Sequence, residues 1–229
     1  MTVESEFGTI PESEARTPVL EGVGIIVVHE RTGQMWVHED LKDRPLTGRK
    51  KGQKSIPLEM RKDGESPREN ILGSLAEIFH DYDRDGNHIM PQLARRLFTV
   101  DRDWLSIPYP LMVRENGTII LCDMSVLIYD GPPFDISPVD SSEAHPLGWM
   151  DVNSFFETDM RTAAKVTVEA LHREGIIRER LKTYHNNPSL RQAVFTPDFS
   201  LQKYYDDRER KRDMVPYVIT ATVLHNAAK

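Results

Sequence analysis

The sequence predicts an α/β protein, and three observations carry that prediction. Two apolar, β-branched runs, residues 22–28 and 117–129, are fit for buried strands. Between them, Ile71, Leu72, Leu75, Ile78 and Phe79 recur at helical spacing, so one face of a helix points to a core. A second helical pattern follows at about residues 161–173.

Taken in order, residues 1–20 read as a polar tail. The run 22–28 is followed by turn residues Arg31-Thr32-Gly33-Gln34 and a second strand at 35–38. Asp63-Gly64-Glu65-Ser66-Pro67 is turn chemistry, with Gly64 free to take positive φ. Ser66 can cap a helix and Pro67 suits its first position. Glu69, three residues after Ser66, completes a capping-box pattern. The spacing predicts a helix over 66–80, packed on a sheet that includes 24–28 and 119–128. Its polar face carries Asn70, Ser74, Glu77 and Asp81. Glu77 and Asp81 lie about 40° apart on that face, close enough to reach one cation. Residues 143–152 carry Trp149. From Glu174 the pattern is helical and polar, broken at Asn186-Asn187-Pro188. Residues 214–224 are apolar enough to need a partner, either this domain or a second subunit, so a homodimer is one expectation. The charge run 208–213 reads as a solvated helix face.

The segment 57–77 resembles the Nudix box, G-x5-E-x7-R-E-U-x-E-E-x-G-U with U apolar, a loop and helix that grips Mg²⁺ and the diphosphate of a nucleotide. The match at the first Glu is Glu65. The box's first Gly falls on Glu59, its Arg on Gly73 and the next Glu on Ser74. The apolar position is Leu75, the paired Glu residues fall on Glu77 and Ile78, and the later Gly on His80. The flanks are similar to the family as well: an opening hairpin at 22–38, a lead-in at 51–57, the Trp-bearing strand and a closing helix. The resemblance implies a Nudix-like α/β/α sandwich with a mixed β-sheet over residues 21–173, followed by a helical C-terminal extension over 174–229.

The resemblance also implies where chemistry would lie. Glu77 and Glu65 are the catalytic candidates. Glu77, Asp81, Glu65 and Glu59 are the metal candidates, with Glu77 the main anchor. Hard oxygen donors favour Mg²⁺, Mn²⁺ or Ca²⁺ over Zn²⁺. Of the three helix carboxylates only Glu77 is kept, and one carboxylate holds Mg²⁺ poorly until substrate phosphates complete the shell. In the family the Arg is thought to brace the loop Glu, which Gly73 cannot do for Glu65. The expected function is binding of a nucleoside-diphosphate-type ligand with hydrolysis weak or absent, as in a sensor or regulator. One alternative is an active Mg²⁺-dependent pyrophosphohydrolase using Glu77 with some of Glu59, Glu65, Glu69 and Asp81. A second is a structural or dimerisation module.

Composition narrows the setting. A net charge of −7 over 229 residues argues against a nucleic-acid wrapper, since these normally carry a basic surface. No apolar run reaches membrane-spanning length, and the acidic start lacks the features of a signal peptide. Cys122 is the only cysteine, which excludes an internal disulfide and fits the cytoplasm. Its strand context predicts a buried, inert thiol. Asp81-Tyr82-Asp83-Arg84-Asp85-Gly86 resembles the start of a Ca²⁺ loop, but His88 and Gln92 stand where an aliphatic residue and a bidentate Glu belong, so an acidic turn is expected. Glu143 is read as a surface residue and Trp149 as a core residue rather than a base-stacking platform. His80, His88 and His145 show no metal-ligand spacing.

Overall fold

A computed structural model describes residues 2–5, 8–11, 19–44, 49–62, 64–79, 81–82, 84–86, 88–89, 92–100, 111–115, 118–132, 144–210 and 218–219. The N-terminal stretch carries a short antiparallel pair, β1 (Thr2–Ser5) with β2 (Gly8–Pro11). The chain then runs through β3 (Val19–His29), β4 (Met35–Asp40), β5 (Lys54–Ser55) and β6 (Leu58–Met60) into α1 (Pro67–Phe79). A second small hairpin follows, β7 (Asp81–Tyr82) with β8 (His88–Ile89). Next come β9 (Leu97–Thr99), β10 (Leu111–Glu115), β11 (Thr118–Tyr129) and β12 (Ala144–Met150). The rest comprises α2 (Val152–Phe156), α3 (Thr162–Arg173), α4 (Ile176–Asn186), β13 (Gln192–Ala193), α5 (Leu201–Arg210) and β14 (Val218–Ile219).

The main sheet runs β12-β4-β3-β11-β9-β13, with β5 on β4, β6 and β14 on β3, and β10 on β11. It is mixed. β3 and β11 pair in parallel along their length, from Val19 with Ile119 to His29 with Tyr129, and the other pairs are antiparallel. The alternation of β3 splits its side chains between two cores. Val23, Ile25 and Val27 face Ile71, Leu75 and Phe79 of α1, and Ile26 and Val28 face Ala164, Val168 and Leu171 of α3. Both faces are covered by helix, which is why the strand reads as a continuous apolar run. The expected α/β/α sandwich on a mixed sheet is therefore present.

Helix α1 starts as its capping residues predict. Ser66 N–H and Oγ donate to Glu69 Oε2, both at 2.8 Å, and Glu69 N–H returns a bond to Ser66 Oγ at 3.2 Å. Ile71 and Leu75 are fully buried, and Leu72 and Ile78 pack at the margin of the same core. Beyond residue 173 the chain stays in contact with the sandwich. Ile177 joins the α3-side core, Tyr184 packs with Val100 and Ile128, and Val194 and Phe195 enter the α1-side core. Of the apolar stretch 214–224, only Val218 and Ile219 are described, paired on β3.

One irregularity positions the cleft. β3 and β4 share a single register pair, Val28 with Met35, at the tight turn closed by His29 N–H to Gln34 O at 2.8 Å. Past that turn the two strands diverge. Residues 54–60 fill the wedge between them: β5 pairs with His38 and Glu39, Ile25 N–H bonds Pro57 O at 2.9 Å, and β6 pairs with Gly22, Val23 and Gly24.

Candidate functional site: a charged cleft beside helix α1

The divergence opens a cleft, open to solvent, against the polar face of α1. One wall is Ser74, Glu77 and Ile78 of α1. The floor is Pro57, Leu58 and Glu59. The other side is His38, Asp40, Arg49, Ala144 and Arg161. The structure thus brings together Glu59 and Glu77, two of the four residues singled out from the sequence.

The other two lie elsewhere. Glu65 does not line the cleft. Its Oε2 accepts from Lys62 N–H at 3.0 Å and lies 3.4 Å from Asn70 Nδ2, which also donates to Met60 O at 3.2 Å. Asn70, buried on α1, thus braces the loop where the resemblance put an arginine, now Gly73. Asp81 was expected one turn beyond Glu77 on the same helix face; that expectation is corrected. The helix ends at Phe79, and Asp81 lies in β7, whose hairpin with β8 turns through Gly86 at φ +82°. A four-residue spacing places side chains together only while the helix continues. The Asp81 side chain, His80, Asp83 and Glu143 lie outside the described residues, while Asp85 and Gly86 are exposed. Trp149 is partly buried against His29 and Tyr129, with ring centroids 5.1 Å and 5.5 Å away.

Four cleft residues were not singled out from the sequence: His38, Asp40, Arg49 and Arg161. A signal for two of them existed. Trp36, His38 and Asp40 alternate on β4, so they share one face. Trp36 lies in the α1-side core and its ring is 5.6 Å from His38, so an inward-facing polar pair ends an apolar strand. Arg49 and Arg161 carried no such signal, because tertiary contacts bring them in. The loop before β5 closes on Asp40 through Gly52 N–H to Asp40 O at 2.7 Å and Asp40 N–H to Gln53 O at 2.9 Å. Gly52 supplies the required φ of +88°. Arg49 then forms an ion pair with Asp40, its Nε 2.8 Å from Asp40 Oδ1. Arg161, at the start of α3, is held through its N–H to Lys54 O at 2.9 Å.

Electrostatics follow from burial. Asp40 is 1% exposed and Arg161 7%. Asp40 Oδ2 and His38 Nδ1 are buried and make no hydrogen bond among the described residues, an uncommon condition for buried polar atoms. Burial pushes the His38 imidazole below its ordinary pKa. Asp40 opposes that shift, and Arg49 and Arg161 add to it. The native state therefore binds fewer protons than the unfolded chain between that lowered pKa and the ordinary value. Stability rises with pH through this window and is lost as pH falls below about 6.5. Urea unfolding at about pH 5.5 and about pH 7.5 checks this: wild type should lose up to about 1.4 kcal/mol per pH unit more than His38→Gln. Equal losses in both proteins would count against a buried neutral His38.

The donor set does not fit a Mg²⁺ shell. Among the described residues no group of three or more His, Cys, Asp and Glu is arranged to hold a metal ion. Glu59 and Glu77 share their cleft with two guanidinium groups, and Ser74 and Ile78 offer no negative charge. A second, small and mostly apolar cavity lies next to the cleft. It shares Leu58, Glu59 and Arg161 with it and adds Gly22, Val23, Met60, Cys122 and Ala163. Cys122 is buried, as its strand context predicts. Among the described residues no helix is long and apolar enough to cross a membrane.

No family model matches the chain, and no curated protein matches it. Solved structures similar to it include the MutT protein of Methanosarcina mazei Go1, at 10% identity and TM-score 0.45 over 70% of this chain and 97% of that one. The Nudix hydrolase RenU of M. smegmatis is similar at 12% identity and TM-score 0.40, over 76% and 92%. A Nudix hydrolase of Nitrosomonas europaea is similar at 14% identity and TM-score 0.38, over 81% and 99%.

Proposed function

We propose that this chain is a Nudix-like domain that binds a nucleoside-diphosphate-type ligand and hydrolyses it weakly or not at all, in a sensing or regulatory role. One observation carries the reading. The loop and helix of the degenerate box form two sides of a charged cleft, yet Ser74 and Ile78 stand on the helix wall where carboxylates are needed. Hydrolysis of a diphosphate by a metal ion requires neutralised phosphoryl charge and an activated water. A neutral hydroxyl and an aliphatic side chain support neither. Binding needs only the cleft and its fixed charges.

A second reading, an active Mg²⁺-dependent hydrolase with rearranged ligands, is favoured by the meeting of Glu59 with Glu77. A thermal-shift screen with nucleoside diphosphate compounds, with and without Mg²⁺, separates the two. A ligand at a hundred times its Kd should stabilise the fold by about 2.7 kcal/mol, or roughly 5–10 °C in Tm. Stabilisation without Mg²⁺ and without product release is the expected result. Mg²⁺-dependent turnover abolished by Glu77→Gln would replace this reading with the hydrolase. Silence throughout would leave a structural module.

A further inference from the structure

We propose that the cleft grips the phosphate groups of its ligand with the guanidinium groups of Arg49 and Arg161 in place of a divalent cation, with Asp40 positioning Arg49. This rests on the reading of the chain as a Nudix-like binding domain and adds to it the source of positive charge.

The two cations are built into the wall. The Arg49 side chain is 12% exposed and Arg161 as a whole 7%. Arginines are almost never buried to this degree without a structural or functional reason. They arrive from separate elements, the loop before β5 and the start of α3, and converge on one strand end carrying His38 and Asp40. Each is anchored near its backbone, Arg49 by the loop that closes on Asp40 and Arg161 by its bond to Lys54. The ion pair with Asp40, at 2.8 Å, holds the Arg49 guanidinium against the end of β4.

The cleft lining carries two cationic groups, Arg49 and Arg161, and three carboxylates, Asp40, Glu59 and Glu77. Asp40 is taken up by its ion pair with Arg49. An anionic ligand therefore meets its positive charge in the two guanidinium groups, with Glu59 and Glu77 opposing it. A guanidinium presents a planar fork of donors that matches phosphate oxygens in pairs, and it is more weakly hydrated than an ammonium. It needs no third carboxylate, so the losses at residues 74 and 78 do not weaken it. They help it, because each carboxylate there would repel a phosphate that no metal bridges.

Glu77 makes the idea decidable. If a metal held the ligand, Glu77→Gln would weaken binding. If the arginines hold it, removing a negative charge from the cleft strengthens binding. The experiment is calorimetry with inorganic pyrophosphate and with ADP, each in EDTA and in excess Mg²⁺. Wild type should bind pyrophosphate in EDTA within about threefold of its affinity in Mg²⁺. Arg161→Gln should weaken that binding about tenfold or more, since it removes charge-assisted bonds, and Arg161→Lys by less, because it keeps the charge. Glu77→Gln should strengthen it at least about twofold. Arg49→Gln should behave as Arg161→Gln. Should it fail to fold without a partner for Asp40, the Arg161 and Glu77 variants still decide. Binding seen only with Mg²⁺ and abolished by Glu77→Gln would overturn the arginine grip while leaving the Nudix-like reading intact. No binding of either compound in either buffer would overturn both.

Discussion

Replacing Gly22 with alanine is expected to cost about 3 kcal/mol of stability and to deform the cleft, because the added methyl group would overpack a backbone contact. A Cβ built on Gly22 lies 2.6 Å from the carbonyl oxygen of Glu59, with the Glu59 carbonyl carbon and Met60 Cα both at 3.5 Å. Those atoms are backbone, so no side chain can turn aside. β6 must move away from β3, against its register pairs Gly22 with Met60, Val23 with Glu59 and Gly24 with Leu58. Leu58 and Glu59 form part of the cleft floor, so the displacement reaches the site directly. Urea unfolding reads the stability loss, and pyrophosphate calorimetry reads the site. A variant as stable as wild type, with unchanged affinity, would mean that β6 is free to slide and does not shape the cleft.

Tyr184→Phe should lower stability by about 1.5–3 kcal/mol, the range for a hydrogen bond to a charged group. Tyr184, on α4, is 1% exposed, and its hydroxyl donates to Asp130 Oδ2 at 2.5 Å, just past the end of β11. Burial, reinforced by Asp130, holds the phenol above its ordinary pKa, so it remains a donor at neutral pH. The Arg191 guanidinium lies 4.0 Å from the ring centroid, and Phe98 packs with its ring centroid at 6.0 Å. Phenylalanine keeps both ring contacts and loses only the hydroxyl. The measured loss therefore reports how firmly α4 is tied to the sheet. Denaturant unfolding gives that loss, and ligand affinity should not change, since Tyr184 does not line the cleft. A loss under about 0.5 kcal/mol, the scatter of ordinary surface changes, would show that α4 contributes little through this bond.

These two sites differ in how far the sequence disclosed them. A glycine in the run 22–28 read simply as part of a buried strand. Its requirement for bare backbone appears only when β6 approaches it. Tyr184 read as one residue of a polar helix after residue 174, and nothing local placed Asp130 opposite it. By contrast, the start of α1 was legible to the residue, because Ser66, Pro67 and Glu69 act on their immediate neighbours. The far end of α1 was not, since the helix stops at Phe79 and the chain turns into the β7–β8 hairpin, leaving Asp81 off the helix face.

What the sequence determined by itself was therefore the local set: strands where β-branched residues run together, a capped helix with one apolar face, and a box short of carboxylates at residues 74 and 78. Period, capping and side-chain chemistry act over a few residues and need no knowledge of the rest of the chain. The tertiary structure alone decided the composition of the cleft. It parted β3 from β4 after a single shared pair, laid β6 into the gap, and turned His38 and Asp40 inward. It drew Arg49 and Arg161 to that wall from residues more than a hundred positions apart. Long-range partners of this kind are selected by sheet geometry and by the need to neutralise a buried carboxylate, and no spacing along the chain encodes either.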